Sequence, residues 1–168
     1  MQKEYVPVIN KAAHKAQFGM ENMKIVGFVS RNQKRKLFPD LFLAFKQYLD
    51  TYKQLDTFLY CHTTYPDGGW NLPQLLKDYN LTNRVFFTYI CRGCGDVAPS
   101  LFHDAGVLCH KCNTIKVISN VDISVPPSEM AKIFNLFDVY VHYANSEAWG
   151  MAQIEAASCG IPVMSVDY

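Results

Sequence analysis

Apolar and polar positions alternate along this chain in two recurring modes. Short continuous apolar runs occur at Lys24–Ser30 (KIVGFVS), Leu55–Cys61 (LDTFLYC), Arg84–Ile90 (RVFFTYI) and Val139–Tyr143 (VYVHY). Runs of this length and β-rich composition predict strands buried on both faces of a parallel sheet. Between them lie stretches with helical periodicity. Pro39 fits the first turn of a helix whose apolar stripe is Leu41, Phe42, Phe45, Tyr48 and Leu49. Asn71 reads as the N-cap of a helix over Leu72–Tyr79, with Pro73 just inside it. Ser128 reads as the cap of a helix over Glu129–Leu136. A short helix is expected around Lys11–Phe18 in a polar lead-in segment.

The last stretch, Ser146–Tyr168, carries the sharpest pattern. Ala148-Trp149-Gly150 breaks the chain, and Gly150 allows a tight turn or a close backbone approach. A helix follows, with Met151, Ile154 and Ala157 on one face. Gly160 stops it, and Ile161–Val166 reads as a fifth, buried strand. Alternating strands and helices predict an α/β fold, a doubly wound parallel sheet with helices on both faces. Ligands of such sheets sit at the carboxyl ends of the strands. The loops after the first, third and fourth strands should therefore crowd one edge. The chain stops directly after a strand, so it reads as a piece of something larger.

Bulk composition narrows the classes. Hydrophobic residues make up 49% and charged residues 18% of 168 residues, which fits one globular domain with a real core. A net charge of +1 argues for neither a nucleic-acid nor a membrane partner. No apolar run approaches the ~18 residues of a membrane span, and Met1–Tyr5 lacks the apolar core of a signal peptide. Six cysteines are too few for a disulfide scaffold in a chain this long, which favours a reducing compartment, the cytoplasm.

Three motifs carry chemistry. Cys91-Arg92-Gly93-Cys94, fourteen intervening residues, then Cys109-His110-Lys111-Cys112 form two CxxC knuckles. That spacing is a four-thiolate zinc ribbon, closed and therefore structural. Its cations, Arg92, Lys111 and Lys116, lack aromatic interleaving, so nucleic-acid binding is poorly supported. Cys61 and Cys159 read as buried strand and helix-end thiols. The basic loop Arg31–Lys36 follows a buried strand, and there Arg31 and Lys36 either neutralise a diphosphate or form a solvated turn, with Lys34 and Arg35 facing solvent. Glu147 and Glu155 flank the start of the last helix, where free backbone N–H groups favour an anionic ligand. The two acids either receive hydroxyls of that ligand or simply sit where the helix dipole favours acids. Trp149 either stacks on a ligand or covers the loop, and His142 either lines the site or, the favoured reading, is a core or edge histidine.

The pattern Glu147, Trp149-Gly150-Met151, Glu155, then Ala156–Gly160 and Pro162-Val163 resembles the donor-binding domain of retaining glycosyltransferases with the GT-B fold, the glycogen-synthase-like and mannosyltransferase-like group 1 family. The lead-in Pro126–Ser146 and the segment FVSRNQKRK, with Arg31 and Lys36 five apart, resemble the same family. The resemblance covers roughly residues 24–90 and 121–168. It implies a Rossmann-like nucleotide-sugar-binding domain over 1–90 and 121–168, the C-terminal half of a GT-B fold, with 91–120 as a zinc-ribbon insertion. It implies that Arg31 and Lys36 hold a donor diphosphate, that Glu147 meets the donor sugar with the amides around Trp149, Gly150 and Met151, and that Glu155 bonds the ribose. Glu147, Arg31 and Lys36 would be the catalytic residues of a hexosyltransferase, working without a catalytic metal. Acceptor choice would lie on an N-terminal domain, so that this chain alone binds donor but transfers poorly. Alternatives are a zinc-ribbon binding module or a non-catalytic scaffold with a vestigial sugar-nucleotide site.

Overall fold

The computed structural model describes residues 3–147 and 149–166. Its elements in order are α1 (Lys11–Ala16), β1 (Lys24–Val29), a 3-10 turn (Lys34–Lys36), α2 (Phe38–Tyr52), β2 (Thr57–His62), α3 (Leu72–Asp78), β3 (Val85–Cys91), β4 (Val97–Leu101), β5 (Val107–Leu108), β6 (Ile115–Ile118), α4 (Pro127–Phe134), β7 (Val139–His142), α5 (Met151–Ser158) and β8 (Val163–Ser165). The strands form one mixed sheet that is parallel across β3-β2-β1-β7-β8. The register runs from Lys24 opposite Thr57 to Val29 opposite His62, and Leu59 lies opposite Val85. The carboxyl ends of β1, β2, β3 and β7 therefore open on one edge, as the strand–loop order predicts.

One core lies between the sheet and α4 and α5, with Met130, Phe134, Phe137, Tyr140 and Ala156. The other lies against α2 and α3, with Phe38, Phe42, Leu59, Leu76 and Phe87. Helices thus cover both faces, which is why the strands read as unbroken apolar runs. Gly27 is dictated by this packing: a Cβ there would come within 2.1 Å of the Phe137 ring.

The cysteine-bearing segment is not a detached knob. β4 runs antiparallel along Phe86–Ile90 of β3, and β6 pairs with Tyr89–Cys91 of the same strand. Phe102 packs edge-on against Phe87 and Tyr65 at 5.8 and 5.7 Å between ring centroids. Asp96 accepts from the buried Lys116 at 2.5 Å and from Lys111 at 2.6 Å. The segment is therefore joined to the sheet by strand pairing and apolar packing, and its own strands are tied together by ion pairs.

Three sequence expectations fail. α4 starts at Pro127 after an N-cap at Pro126, and Ser128 lies inside the helix without capping it. Pro127 loses nothing in the first turn, where its missing N–H would be an orphan anyway. α5 buries Ala156 and packs Ala152 and Cys159 inward, while Met151 and Ile154 are exposed. The small residues permit the close helix–sheet approach. β8 is exposed rather than buried, and among the described residues it pairs with β7 alone.

Two buried polar clamps hold the loops in register. Asp138 accepts from the Ile25 amide at 2.8 Å and from Lys15, an ammonium with a side chain only 6% exposed, at 2.5 Å. Burial pushes the Asp138 carboxyl up, but bonds from Lys15 and Ile25 and the charges of Lys15 and Lys11 outweigh it and hold it below its ordinary value. Asn32, fully buried in the loop after β1, donates to the Trp70 carbonyl and accepts from the Trp70 amide, both at 2.9 Å. This ties that loop to the one after β2. Gly69 makes room for it, since a Cβ would lie 2.3 Å from the Asn32 carbonyl.

Asp138→Ala should lower unfolding free energy by about 2 kcal/mol in urea, the low end expected for stripping a partner from a buried ammonium, because Asp138 is itself partly exposed. A carboxyl with a depressed folded pKa stabilises above its unfolded value of about 3.9 and loses that contribution as pH falls through the folded one. The stability gap between wild type and variant should therefore close below about pH 4. Asn32→Ala strands both Trp70 backbone groups and should cost about 2 kcal/mol with an unchanged denaturant slope.

Candidate functional site

The 3-10 turn after β1 gives the basic loop its geometry. It sends Lys36 inward, where it is 5% exposed, and leaves Lys34 and Arg35 outside. Leu37, in the left-handed region at φ 42°, then redirects the chain into α2. Lys34 lies over the Trp70 ring, 4.0 Å from its centroid.

Lys36 meets the loop after β7. Its Nζ donates to Glu147 Oε2. Arg35 Nη1 donates to the Ser146 carbonyl at 2.7 Å and lies 3.5 Å from Glu147 Oε2, and the Asn145 amide donates to the Arg35 carbonyl at 2.8 Å. Two loops 111 residues apart in sequence are thus laced together around one carboxylate. Arg35 faces solvent as expected and also belongs to this lacing.

His142 closes β7 directly beneath. Its side chain is 4% exposed, and its Nε2 lies 3.7 Å from Glu147 Oε2. Burial and the Lys36 charge lower its pKa, Glu147 opposes them, and Arg35 lowers it further. Gly150, at φ 63°, passes so close that a Cβ would lie 3.2 Å from that nitrogen. It is the left-handed N-cap of α5, so the first amides of the helix open on the same loop. Trp149 is 72% exposed and Met151 62% exposed, flanking this turn. Ala148 of the expected turn lies outside the described residues.

The other predicted residues are engaged elsewhere. Arg31 forms a two-pronged pair with Asp67, Nε to Oδ2 at 2.8 Å and Nη2 to Oδ1 at 3.3 Å. Asp67 also accepts from Thr64 at 2.5 Å and the Gly68 amide at 2.7 Å, so its carboxyl lies well below the usual range. Glu155 is half-buried in α5. Burial raises its pKa, and a hydrogen bond from Tyr5 of the lead-in segment opposes the rise. The structure thus joins Lys36, Glu147, Arg35 and His142, with Arg31 and Glu155 on adjoining elements. Sequence reasoning missed Asn32, Asp67 and Tyr5. Asp67 was hidden in a Pro-Asp-Gly-Gly stretch that signals only a turn, and nothing local marks Tyr5.

The four cysteines form a second centre. Their sulfurs all lie within 4.8 Å of one another, with Cys91–Cys112 at 3.3 Å and Cys94–Cys109 at 3.7 Å. A tetrahedron with 2.3 Å metal–sulfur bonds has edges of about 3.8 Å, so the residues fit a four-thiolate ion. Gly95 and Asn113, both left-handed, turn the chain back after each knuckle. Their amides donate to the Cys91 and Cys109 carbonyls at 3.0 and 2.9 Å. Cys61 and Cys159 are buried apart from this cluster.

Residues 108–168 match the family model described as glycosyl transferases group 1. That stretch includes Cys109, Cys112, Glu147 and Glu155 and excludes Arg31 and Lys36. No curated protein matches the chain by sequence. Among solved structures, sucrose-phosphate synthase from Thermosynechococcus elongatus superposes with a TM-score of 0.62 at 19% identity, over 97% of this chain and 32% of its own. The C-terminal domain of the glycosyl transferase group 1 family protein LpcC from Francisella tularensis gives a TM-score of 0.63 at 14% identity, over 97% of this chain and 68% of its own. Anabaena HepE, solved with UDP and glucose, gives 0.58 at 18% identity, over 96% of this chain and 34% of its own. The chain thus spans about a third of the sucrose-phosphate synthase and HepE chains. Its fold is that of the C-terminal domains of GT-B glycosyltransferases, and its last third carries the sequence pattern of glycosyl transferases group 1.

Proposed function

We propose that this chain is the donor-binding domain of a retaining glycosyltransferase, of hexosyltransferase type, holding a nucleoside-diphosphate sugar at the carboxyl edge of its sheet. The observation that carries the reading is the buried Lys36–Glu147 pair beside the N-terminus of α5. A cation, a carboxylate and open helix amides meet there. A diphosphate needs the first and third, and sugar hydroxyls need the second. In this reading Lys36 and Arg31 take the diphosphate, and Glu147 orients the sugar beside the amides around Trp149, Gly150 and Met151. Glu155 takes the ribose, with Tyr5 occupying its hydrogen-bonding capacity in the free protein.

Transfer to a hydroxyl acceptor leaves the nucleoside diphosphate with an added negative charge. Lys36, Arg31 and the amide dipoles of α5 stabilise that charge where it develops. The HepE complex with UDP and glucose supports this ligand chemistry. The acceptor side belongs to a domain outside this chain, so the chain by itself binds donor without efficient transfer.

The cysteine centre would hold one zinc ion through Cys91, Cys94, Cys109 and Cys112. It would fix the segment 91–120, an insertion in the nucleotide-sugar domain 1–90 and 121–168, beside the base end of the site. The ion's role there is structural. Zinc-binding cysteine spacing in place of a disulfide framework suits a cytoplasmic protein. No helix among the described residues is long and apolar enough to cross a membrane.

Calorimetry with UDP, GDP and ADP should show binding of at least one. Lys36→Ala and Glu155→Ala should each weaken it about tenfold or more, the loss of one charge-assisted bond. Failure of all three nucleotides, or indifference to both variants, would overturn the donor site. Elemental analysis should find about one zinc per chain, lost together with several degrees of melting temperature in the Cys91→Ser, Cys94→Ser double variant. A metal-free wild type of full stability would refute the ribbon.

A further inference from the structure

His142 has a buried nitrogen that nothing else in the site explains. Nε2 is shielded from solvent and, among the described residues, has no hydrogen-bond partner. Such an atom in a packed interior ordinarily finds one. Its surroundings bear on the ring's tautomer. The Tyr140 hydroxyl donates to the Val29 carbonyl at 3.2 Å and lies 3.3 Å from His142 Nδ1. If the phenolic proton is directed at β1, Nδ1 is the donor of that pair, and Nε2 keeps its lone pair. The lone pair then faces Glu147 Oε2 across 3.7 Å. Two acceptors confront each other with no proton between them.

The ionic groups facing His142 come from two other elements. Lys36 and Arg35 stand on the 3-10 turn and Glu147 on the loop after β7, while Tyr140 shares its strand. From α5, Gly150 and Gln153 pack at this point and neither titrates. A proton taken up at Nε2 would turn the confrontation into an ion pair.

We infer that His142 is a positioning residue for Glu147: neutral, it leaves the carboxylate to Lys36 and to a bound sugar, and protonated, it engages the carboxylate and removes it from the sugar. The consequence for the sugar rests on the donor reading above; the coupling of His142 to Glu147 does not. Burial and the two cations place the change on the acid side of the ordinary imidazole range.

Imidazole ¹⁵N NMR of the chain between pH 8 and pH 5 reads the coupling without any ligand. At pH 8 His142 should carry its proton on Nδ1, and Glu147→Gln should lower its proton affinity about tenfold. A proton on Nε2 at pH 8, or a titration that ignores Glu147→Gln, would overturn the inference. Calorimetry with UDP-glucose, whose diphosphate does not titrate in this range, reads the consequence. From pH 8 to pH 5 wild type should weaken about tenfold while His142→Gln stays level. Equal pH dependence in both would sink the positioning role. No binding by either protein at pH 8 would remove the donor reading and leave the NMR result to decide the coupling.

Discussion

Parallel pairing of β1 with β2 on one side and β7 on the other is the constraint on which the site depends. Parallel neighbours point their carboxyl ends the same way, so loops distant in sequence emerge on one edge. On the face of β1, Gly27 leaves room for the Phe137 ring just after α4. Once β1 and β7 are side by side, the 3-10 turn and the loop to α5 are neighbours. The inward turn of Lys36 on the 3-10 turn then lets it meet Glu147.

The cysteine segment obeys the same constraint differently. Its strands add to β3 in the antiparallel sense, so its hairpins carry the chain out and back at the edge. The knuckles fall at the turn ends of those hairpins, which brings four thiols within reach of one ion. Asp96, Lys111 and Lys116 tie this unit together internally through charge, and Phe102 packs it against Phe87 of β3. A small unit with little core of its own thereby gains internal ion pairs and packing against the sheet.

Strands, cysteine knuckles and the Asn71 cap were legible in the sequence because each depends on local chemistry. The Asn71 side chain accepts from the Gln74 amide as its position implies. The inward face of α5 was not legible. Met151, Ile154 and Ala157 are as regular a stripe as Ala152, Ala156 and Cys159, and only the approach distance to the sheet selects the smaller set. β8 misled for a related reason: an apolar run reports composition and not coverage. Site residues divide in the same way. Glu147, Glu155 and Lys36 stand in patterns, whereas Asn32 and Asp67 act across 38 and 36 residues of sequence, where no local signal reaches. His142 was read as a core residue, and it is buried, but burial proved compatible with a place under the site.

The ionic pairing at this edge has a consequence for selectivity. Lys36 is matched by Glu147 and Arg31 by Asp67, so the two cations best placed for an anion already have acidic partners. Their field is short-ranged, and solution ions screen what remains. A bare anion drifting past would be offered little, since it must displace a carboxylate to gain a cation. In the proposed donor reading, a ligand that also gives Glu147 hydroxyls to receive would exchange one set of partners for another. In that reading, charge neutrality at rest would act as a filter, favouring molecules that carry a phosphate and a polyol together.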